Sequence, residues 1–227
     1  MINLLMLILV LAAFGLTIWA QFRVKGSFKR WSNVQAKSGM TGQEVARSIL
    51  DQNGLRDVAV HPVRGQLTDH YDPVSRTVNL SEPVFYSNSI AAVSVAAHEC
   101  GHAIQHKNAY GALVLRHRMV PIANFASGIA PFLLMGGLLL QAMGLFGLGV
   151  ILYAAVVAFQ LVTLPVEFNA SSRAKEIIVH QGMVSSQEER GVSKVLNAAA
   201  LTYVASALYA LLELIRFALL FFMSDED

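Results

Sequence analysis

The sequence predicts an α+β, mainly helical protein with four transmembrane helices and one compact polar domain. Three observations carry this prediction. The 227 residues are 55% hydrophobic and only 14% charged, which is too apolar for an ordinary soluble domain. The apolar residues are concentrated in three long runs. The chain between the first and second runs carries most of the charges, together with the turn signals of a small β-sheet.

The three apolar runs are long enough for four membrane spans. Residues 2–20 and 119–166 carry no charge, and residues 198–223 carry a single acidic and a single basic residue. A transmembrane helix needs ~20 apolar residues, so the outer runs supply one span each and the middle run supplies two. We expect the middle pair to turn around residues 143–147. The first run lacks a preceding basic residue and a clear cleavage site, so we expect a retained anchor.

Charge distribution predicts which segments face the cytoplasm. Of 17 Lys and Arg residues, 12 lie between residues 21 and 118 and four lie between residues 167 and 197. The positive-inside rule places both segments in the cytoplasm, at a cytoplasmic membrane, with both termini outside. The predicted order is transmembrane helix 1 (1–20), a cytoplasmic region (21–118), a hairpin of transmembrane helices 2 and 3 (119–166), a cytoplasmic helical segment (167–197), transmembrane helix 4 (198–223) and an acidic tail (224–227).

The polar region contains signals for one helix and a small sheet. Thr41 and Glu44 form a capping box that should open a helix ending near Asn53. Residues 58–63 resemble an edge strand because they include a proline. Residues 67–80 should form a hairpin turning at Asp-Pro. An exposed edge of such a sheet can hold an extended peptide by backbone hydrogen bonds.

Residues 95–106 read as a helix that carries the sequence His-Glu-x-x-His. On this helix His98 and His102 are four residues apart and share one face, so both imidazoles can bind one metal ion. Glu99 lies where a carboxylate can act on water as a general base, as in zinc proteases. The neighbouring Ala, Val and Ile residues predict burial of this helix, which argues against two incidental surface histidines. Cys100, the single cysteine, should point away from the metal.

A catalytic zinc ion needs a third protein ligand. His106 is about 12 Å from His98 along the helix and cannot share its ion. Glu167, Glu176 and His180 are the candidates farther along the chain. The acidic Glu167 follows the third predicted span directly, and a carboxylate at a membrane boundary requires a partner.

Four segments resemble the YugP-type neutral zinc metallopeptidases, a membrane family similar to the HtpX and CAAX-prenyl-protease gluzincins. The resemblance covers nearly the whole chain. It implies a zincin-like cytoplasmic domain, a bacterial membrane location, one Zn²⁺ per chain bound by His98, His102 and Glu167, and Glu99 as the catalytic carboxylate. The wider HtpX-like pattern has an Asp that braces a histidine ligand, whereas this chain has Ser171. The segments are Ser38-Gly-Met-Thr-Gly42, Leu67-Thr-Asp-His-Tyr-Asp-Pro73, Ala97-His-Glu-Cys-Gly-His-Ala-Ile-Gln105 and Pro165-Val-Glu-Phe-Asn-Ala-Ser-Ser-Arg-Ala174.

Three more residues are candidates for catalysis. His70 or Tyr71 in the hairpin can stabilise an oxyanion, or can shape the turn through hydrogen bonds. Arg173 can steady the reaction intermediate or form a structural ion pair. In the last span, Glu213 and Arg216 are expected to pair with each other, with a role along a substrate path as the alternative.

The predicted function is a membrane-embedded zinc endopeptidase that takes part in membrane protein quality control. The expected partners are a polypeptide substrate and the lipid bilayer, with a second copy of the chain or an accessory membrane protein as further candidates. Nucleic acid is not expected, because basic and aromatic residues do not cluster. A zinc-binding scaffold without activity is the alternative, although a scaffold has no need of Glu99. A transporter would need polar residues spread through its spans, and the central hairpin has few.

Overall fold

Seven helices and one three-stranded sheet make up the computed structural model, which describes residues 2–223. The predicted acidic tail, residues 224–227, lies outside the described residues. The elements are α1 (Ile2–Trp31), α2 (Gly42–Gln52), β1 (Ala59–Val63), β2 (His70–Asp72), β3 (Thr77–Ser81), α3 (Glu82–Phe85), α4 (Ile90–Lys107), α5 (Gly111–Leu139), α6 (Met143–His180) and α7 (Glu189–Met223).

Four of these helices, α1, α5, α6 and α7, are long and apolar enough to cross a membrane. Parts of them form one compact unit of residues 2–20, 114–164 and 202–223. Large apolar side chains such as Phe132 and Ile151 are 69% and 68% exposed in this unit. A membrane protein exposes such side chains to lipid. Within α7, Arg216 donates two hydrogen bonds to Glu213 Oε2 at 2.9 and 2.7 Å, which confirms the predicted pair.

The predicted turn of the central hairpin is wrong by a few residues. The turn occupies residues 140–142, and α6 already begins at Met143. The amide groups of Leu145 and Phe146 both bond the carbonyl of Ala142, so the glycines that suggested a turn lie inside the helix. Glycine weakens a helix without ending it when the neighbouring residues are apolar and packed.

Three helices also continue beyond the predicted limits of their spans. Helix α1 runs on through the basic segment to Trp31, α6 runs past residue 166 to His180, and α7 begins at Glu189. No proline or capping signal stops α1 after residue 20, so its backbone hydrogen bonds simply continue. As a result, Glu167, the candidate third ligand, lies within the continuous helix α6.

The second compact unit, residues 21–113 and 165–201, contains the sheet and α2 to α4. The predicted capping box of α2 is confirmed: Thr41 and Glu44 bond each other's backbone amides. The sheet order is β1-β3-β2, with β1 parallel and β2 antiparallel to β3, which confirms the predicted edge strand and hairpin. Buried apolar side chains from α2, the sheet, α4 and the last turns of α6 form one core, of which Ile49, Leu80, Val93 and Ile178 are examples.

Candidate metal centre

Helices α4 and α6 pack closely where α4 has a glycine. A Cβ atom added to Gly101 would lie 2.7 Å from the carbonyl oxygen and 3.2 Å from the Cα of Ala170. A larger residue at position 101 would therefore push α6 away. This close approach places Glu167, which is one turn before Ala170, opposite the histidines of α4.

His98, His102 and Glu167 converge on one point. Their ligand atoms lie within 4.8 Å of one another, and no other such group of three His, Cys, Asp or Glu residues occurs in residues 2–223. Glu167 Oε2 is 3.3 Å from His98 Nε2 and 3.6 Å from His102 Nε2. The side chain of Glu167 is 4% exposed, and those of the histidines are 14% and 11% exposed.

These distances fit a zinc ion. In a tetrahedral site with bonds of 2.0–2.2 Å, neighbouring ligand atoms are about 3.4 Å apart. Two imidazole nitrogens and one carboxylate oxygen are also a donor set that zinc proteases use, with a fourth position left open. The three residues can therefore hold one metal ion.

The far nitrogen of His102 is held by a glutamine. Gln105 Oε1 lies 3.1 Å from His102 Nδ1, while Gln105 Nε2 donates to the carbonyl of Val166 and to Asn169 Oδ1 at 2.8 and 3.0 Å. Because the amide nitrogen is committed to two acceptors, Oε1 faces the histidine and Nδ1 is the protonated nitrogen. His102 then presents the lone pair of Nε2 towards Glu167, as a metal ligand must.

His98 is oriented in a similar way by a serine. Ser171 Oγ is 3.2 Å from His98 Nδ1, which leaves Nε2 to face Glu167. Both histidines are thus held by neutral groups, which raise ligand basicity less than a carboxylate does.

Glu99 is buried beside the two histidines, at 7% exposure. Burial raises the pKa of its carboxyl; His98 and His102 act to lower that pKa. The carboxylates of Asp69 and Glu167 raise it further. A carboxyl with a raised pKa is suited to accept and return a proton near neutral pH.

The electrostatic environment favours a cation. Burial acts to lower the pKa of His102. The hydrogen bond to Glu167 and the negative charges of Glu167 and Glu99 act to raise it by more, so the pKa of His102 is raised overall. Groups that stabilise a positively charged imidazole will also stabilise a metal ion in the same place.

The chain belongs to a family of zinc metallopeptidases. The model of the family described as "Putative neutral zinc metallopeptidase" matches residues 6–222. The "Putative membrane protease YugP" of Bacillus subtilis (strain 168) is 62% identical over 223 residues, which cover 98% of this chain and 99% of that protein. No solved structure matches the chain. The four long apolar helices agree with the membrane location that the relative's name states.

The three further candidates for catalysis have contacts of their own. His70 Nδ1 is 2.9 Å from the carbonyl oxygen of Thr68, and His70 Nε2 is 3.3 Å from Asn79 Nδ2. The hydroxyl of Tyr71 is 2.8 Å from His106 Nδ1. Thr68, Asn79 and His106 do not belong to the cluster of His98, His102 and Glu167, so the catalytic roles of His70 and Tyr71 stay predictions.

Arg173 also has a structural partner. Its Nε donates to Asn169 Oδ1 at 2.8 Å, on the same oxygen that accepts from Gln105. This contact joins Arg173 to the hydrogen bonds that orient His102. A direct catalytic role for Arg173 stays a prediction as well.

Sequence reasoning gave no role to Gln105, Asn169 or Asp69. The first two lie inside the segments that carry the family resemblance, but their function depends on the packing of α4 against α6. Asp69 precedes the hairpin strand and accepts hydrogen bonds from the amide and hydroxyl of Ser81 at 2.7 and 3.0 Å. The remaining candidate ligands, Glu176 and His180, are exposed.

Proposed function

We propose that this chain is a membrane-embedded zinc endopeptidase of the gluzincin type. The observation that carries the proposal is the convergence of His98, His102 and Glu167 on one point with the buried carboxylate of Glu99 beside it. Each part has a clear chemical role, and the proposal agrees with the descriptions of the family as a putative neutral zinc metallopeptidase and of the relative as a putative membrane protease.

The mechanism assigns one task to each residue. His98, His102 and Glu167 would hold the zinc ion, and Gln105 and Ser171 fix the orientation of the imidazoles. A zinc ion bound there would supply Lewis acidity for the scissile carbonyl and for the attacking water. Glu99 accepts the proton from the attacking water and then donates it to the leaving amine.

The substrate is a polypeptide, and segments of misfolded membrane proteins are the class that fits the location. Strand β2 forms one edge of the sheet and lies next to α4, where Tyr71 bonds His106. An extended substrate strand can add to such an edge by backbone hydrogen bonds. No specificity residue follows from this arrangement, because backbone hydrogen bonds are independent of side chains.

The polar region of the chain, with its zincin-like domain, faces the cytoplasm in this proposal, and the membrane is bacterial. The support is the excess of Lys and Arg in residues 21–118 and 167–197. Cysteines introduced at two exposed positions test it, Val74 in the hairpin and Leu140 in the turn after α5. An impermeant maleimide should label Leu140→Cys on intact cells and Val74→Cys only after permeabilisation; the reverse pattern would invert the orientation.

Cleavage of an unfolded model protein in detergent tests the activity. The wild type is compared with Glu99→Gln, which keeps the shape of the side chain and removes its basicity, at equal zinc content. We expect Glu99→Gln to bind zinc normally and to lose activity by at least about 100-fold. A matched control is Glu176→Gln, on the exposed surface of α6. If the wild type binds zinc and shows no more cleavage than Glu99→Gln, the chain is a zinc-binding scaffold instead.

A further inference from the structure

A basic cleft lies between the end of α1 and the start of α7, outside the metal centre. Its volume is about 350 Å³. Three cationic side chains line it, and among the described residues of its lining none is acidic. The residues that matter for the argument are Arg23, Gly26, Ser27, Arg30, Trp31 and Lys194.

Packing between the two helices builds the cleft. The Trp31 ring lies against Gly191 so closely that a Cβ at position 191 would be 2.7 Å from the ring. Ser27 Oγ donates to the carbonyl of Lys194 at 3.1 Å. These contacts fix the spacing of the helices, so the basic side chains are held around a defined space rather than scattered over a surface.

Two of the cationic side chains lie over the indole ring of Trp31. The Arg30 guanidinium carbon is 5.7 Å and the Lys194 ammonium 6.0 Å from the ring centre. Both contacts are within the range of cation–π attraction. Gly26 also lines the cleft and leaves space in it, since a Cβ at that position would meet nothing within 4 Å. The cleft therefore combines positive charge, an aromatic wall and free space.

The position of the cleft along α1 points to lipid. The continuous apolar run ends at Ala20, before Gln21, and a helix rises about 1.5 Å per residue. Arg23 is thus about 4.5 Å and Ser27 about 10 Å beyond the apolar run. The headgroup layer of each leaflet is about 5–8 Å thick, so the inner part of the cleft lies at the depth of the lipid phosphates.

We propose that this cleft binds the phosphate of an anionic phospholipid headgroup, such as that of phosphatidylglycerol. Arg23, at the depth of the phosphates, and Arg30 and Lys194, whose long side chains extend from the outer part of the cleft, neutralise the phosphodiester, and the Trp31 ring forms the aromatic wall. Lipid bound between α1 and α7 would hold together two helices of the polar unit. This role is independent of the peptidase chemistry.

Binding is measured on the full chain in a neutral detergent. In a Trp19→Phe background Trp31 is the single tryptophan, and its fluorescence reports on the cleft. The probes are dioctanoyl phosphatidylglycerol, dioctanoyl phosphatidylcholine and glycerol phosphate. We expect a saturable change with phosphatidylglycerol and at least tenfold weaker binding of the other two. Equal binding of phosphatidylcholine, or no saturable change with any probe, would overturn the proposal; equal binding of glycerol phosphate would overturn its assignment to lipid.

Matched variants test whether the cleft itself is responsible. Lipid adducts are counted by native mass spectrometry, which does not depend on Trp31. Arg30→Gln with Lys194→Gln should weaken phosphatidylglycerol binding about 10- to 30-fold. Lys25→Gln with Lys29→Gln removes the same charge from α1 outside this cleft and should change binding less than threefold. Equal losses in the two double variants would show diffuse surface attraction and refute a defined site.

A second pair of variants changes Gly26 alone. Gly26→Glu puts a carboxylate into the cleft and should abolish binding, whereas Gly26→Ala adds only a methyl group without charge and should weaken binding less than threefold. Both replace glycine in a helix by a better helix former, so neither should unfold α1. Circular dichroism and melting temperature establish that all variants are folded. Normal binding by a folded Gly26→Glu protein would contradict the proposal.

Discussion

Replacement of Gly101 by alanine should damage the metal site without touching any metal ligand. The added Cβ would lie 2.7 Å from the carbonyl oxygen of Ala170. Ordinary contacts start near 3.4 Å, so α4 and α6 must separate locally by about 0.7 Å. The distances between Glu167 and the histidine nitrogens, 3.3 and 3.6 Å, would then increase by a similar amount.

The expected loss of zinc affinity is large because bond lengths between a metal ion and its protein ligands vary by only about 0.2 Å. We expect zinc affinity of Gly101→Ala to fall about 10- to 100-fold, which is comparable to the loss of a group that orients a ligand. Overpacking should also cost roughly 1–3 kcal/mol of stability, partly offset by the better helix propensity of alanine.

The assay is competition for zinc with a fluorescent chelator, together with thermal unfolding in detergent. Gly128→Ala in α5 is the control, because a Cβ there meets nothing within 4 Å. It should bind zinc as the wild type does and be no less stable. If Gly101→Ala matched the Gly128→Ala protein in both measurements, the close packing of α4 on α6 would not be what positions Glu167.

Three further predictions concern single side chains. Gln105→Leu removes the oxygen that accepts a hydrogen bond from His102 Nδ1, and it should weaken zinc binding by about 10- to 100-fold in chelator competition. Zinc affinity equal to that of the wild type would mean that Gln105 does not orient His102. Each of the single variants Glu213→Gln and Arg216→Met leaves one charge in the last span without its ion-pair partner. Each should therefore lower the melting temperature more than the double variant does. If the decrease in the double variant equalled the sum of the two single decreases, mutual pairing would be contradicted. Burial raises the pKa of the Asp69 carboxyl in the folded protein, so ionisation of this group lowers the free energy of unfolding. The contribution of the group to stability is fully present below its pKa in the unfolded state. That contribution is lost as pH rises through its pKa in the folded state. Asp69→Asn should therefore raise the melting temperature at pH 7 and lose that advantage near pH 4, and an unchanged difference across this range would refute the sign.

The sequence was sufficient for features that depend on neighbours in the chain. The capping box at Thr41 is local, and so is the spacing of His98 and His102 on one helix face. The four spans follow from the length of the apolar runs. The turn of the central hairpin could not be placed, because glycine at residues 144 and 147 is tolerated inside a packed apolar helix.

The hydrogen bonds around the ligands could not be derived from the sequence. Gln105 reaches Val166 and Asn169, and Ser171 reaches His98, across 61 to 73 residues of chain. These contacts exist only because α4 and α6 pack at Gly101, and no local pattern fixes that approach. Sequence reasoning from the residues left Glu167, Glu176 and His180 open as third ligand; the family resemblance selected Glu167, and the geometry of α6 supports that choice.

The most direct test of the metal centre is the zinc content of the purified protein, determined by mass spectrometry of the metal. The account predicts one zinc per chain for the wild type and for Glu176→Ala, whose carboxylate is exposed on the same helix. Glu167→Ala should retain far less than one. Full zinc occupancy in Glu167→Ala, or loss of zinc in Glu176→Ala, would contradict the assignment of Glu167 as the third ligand.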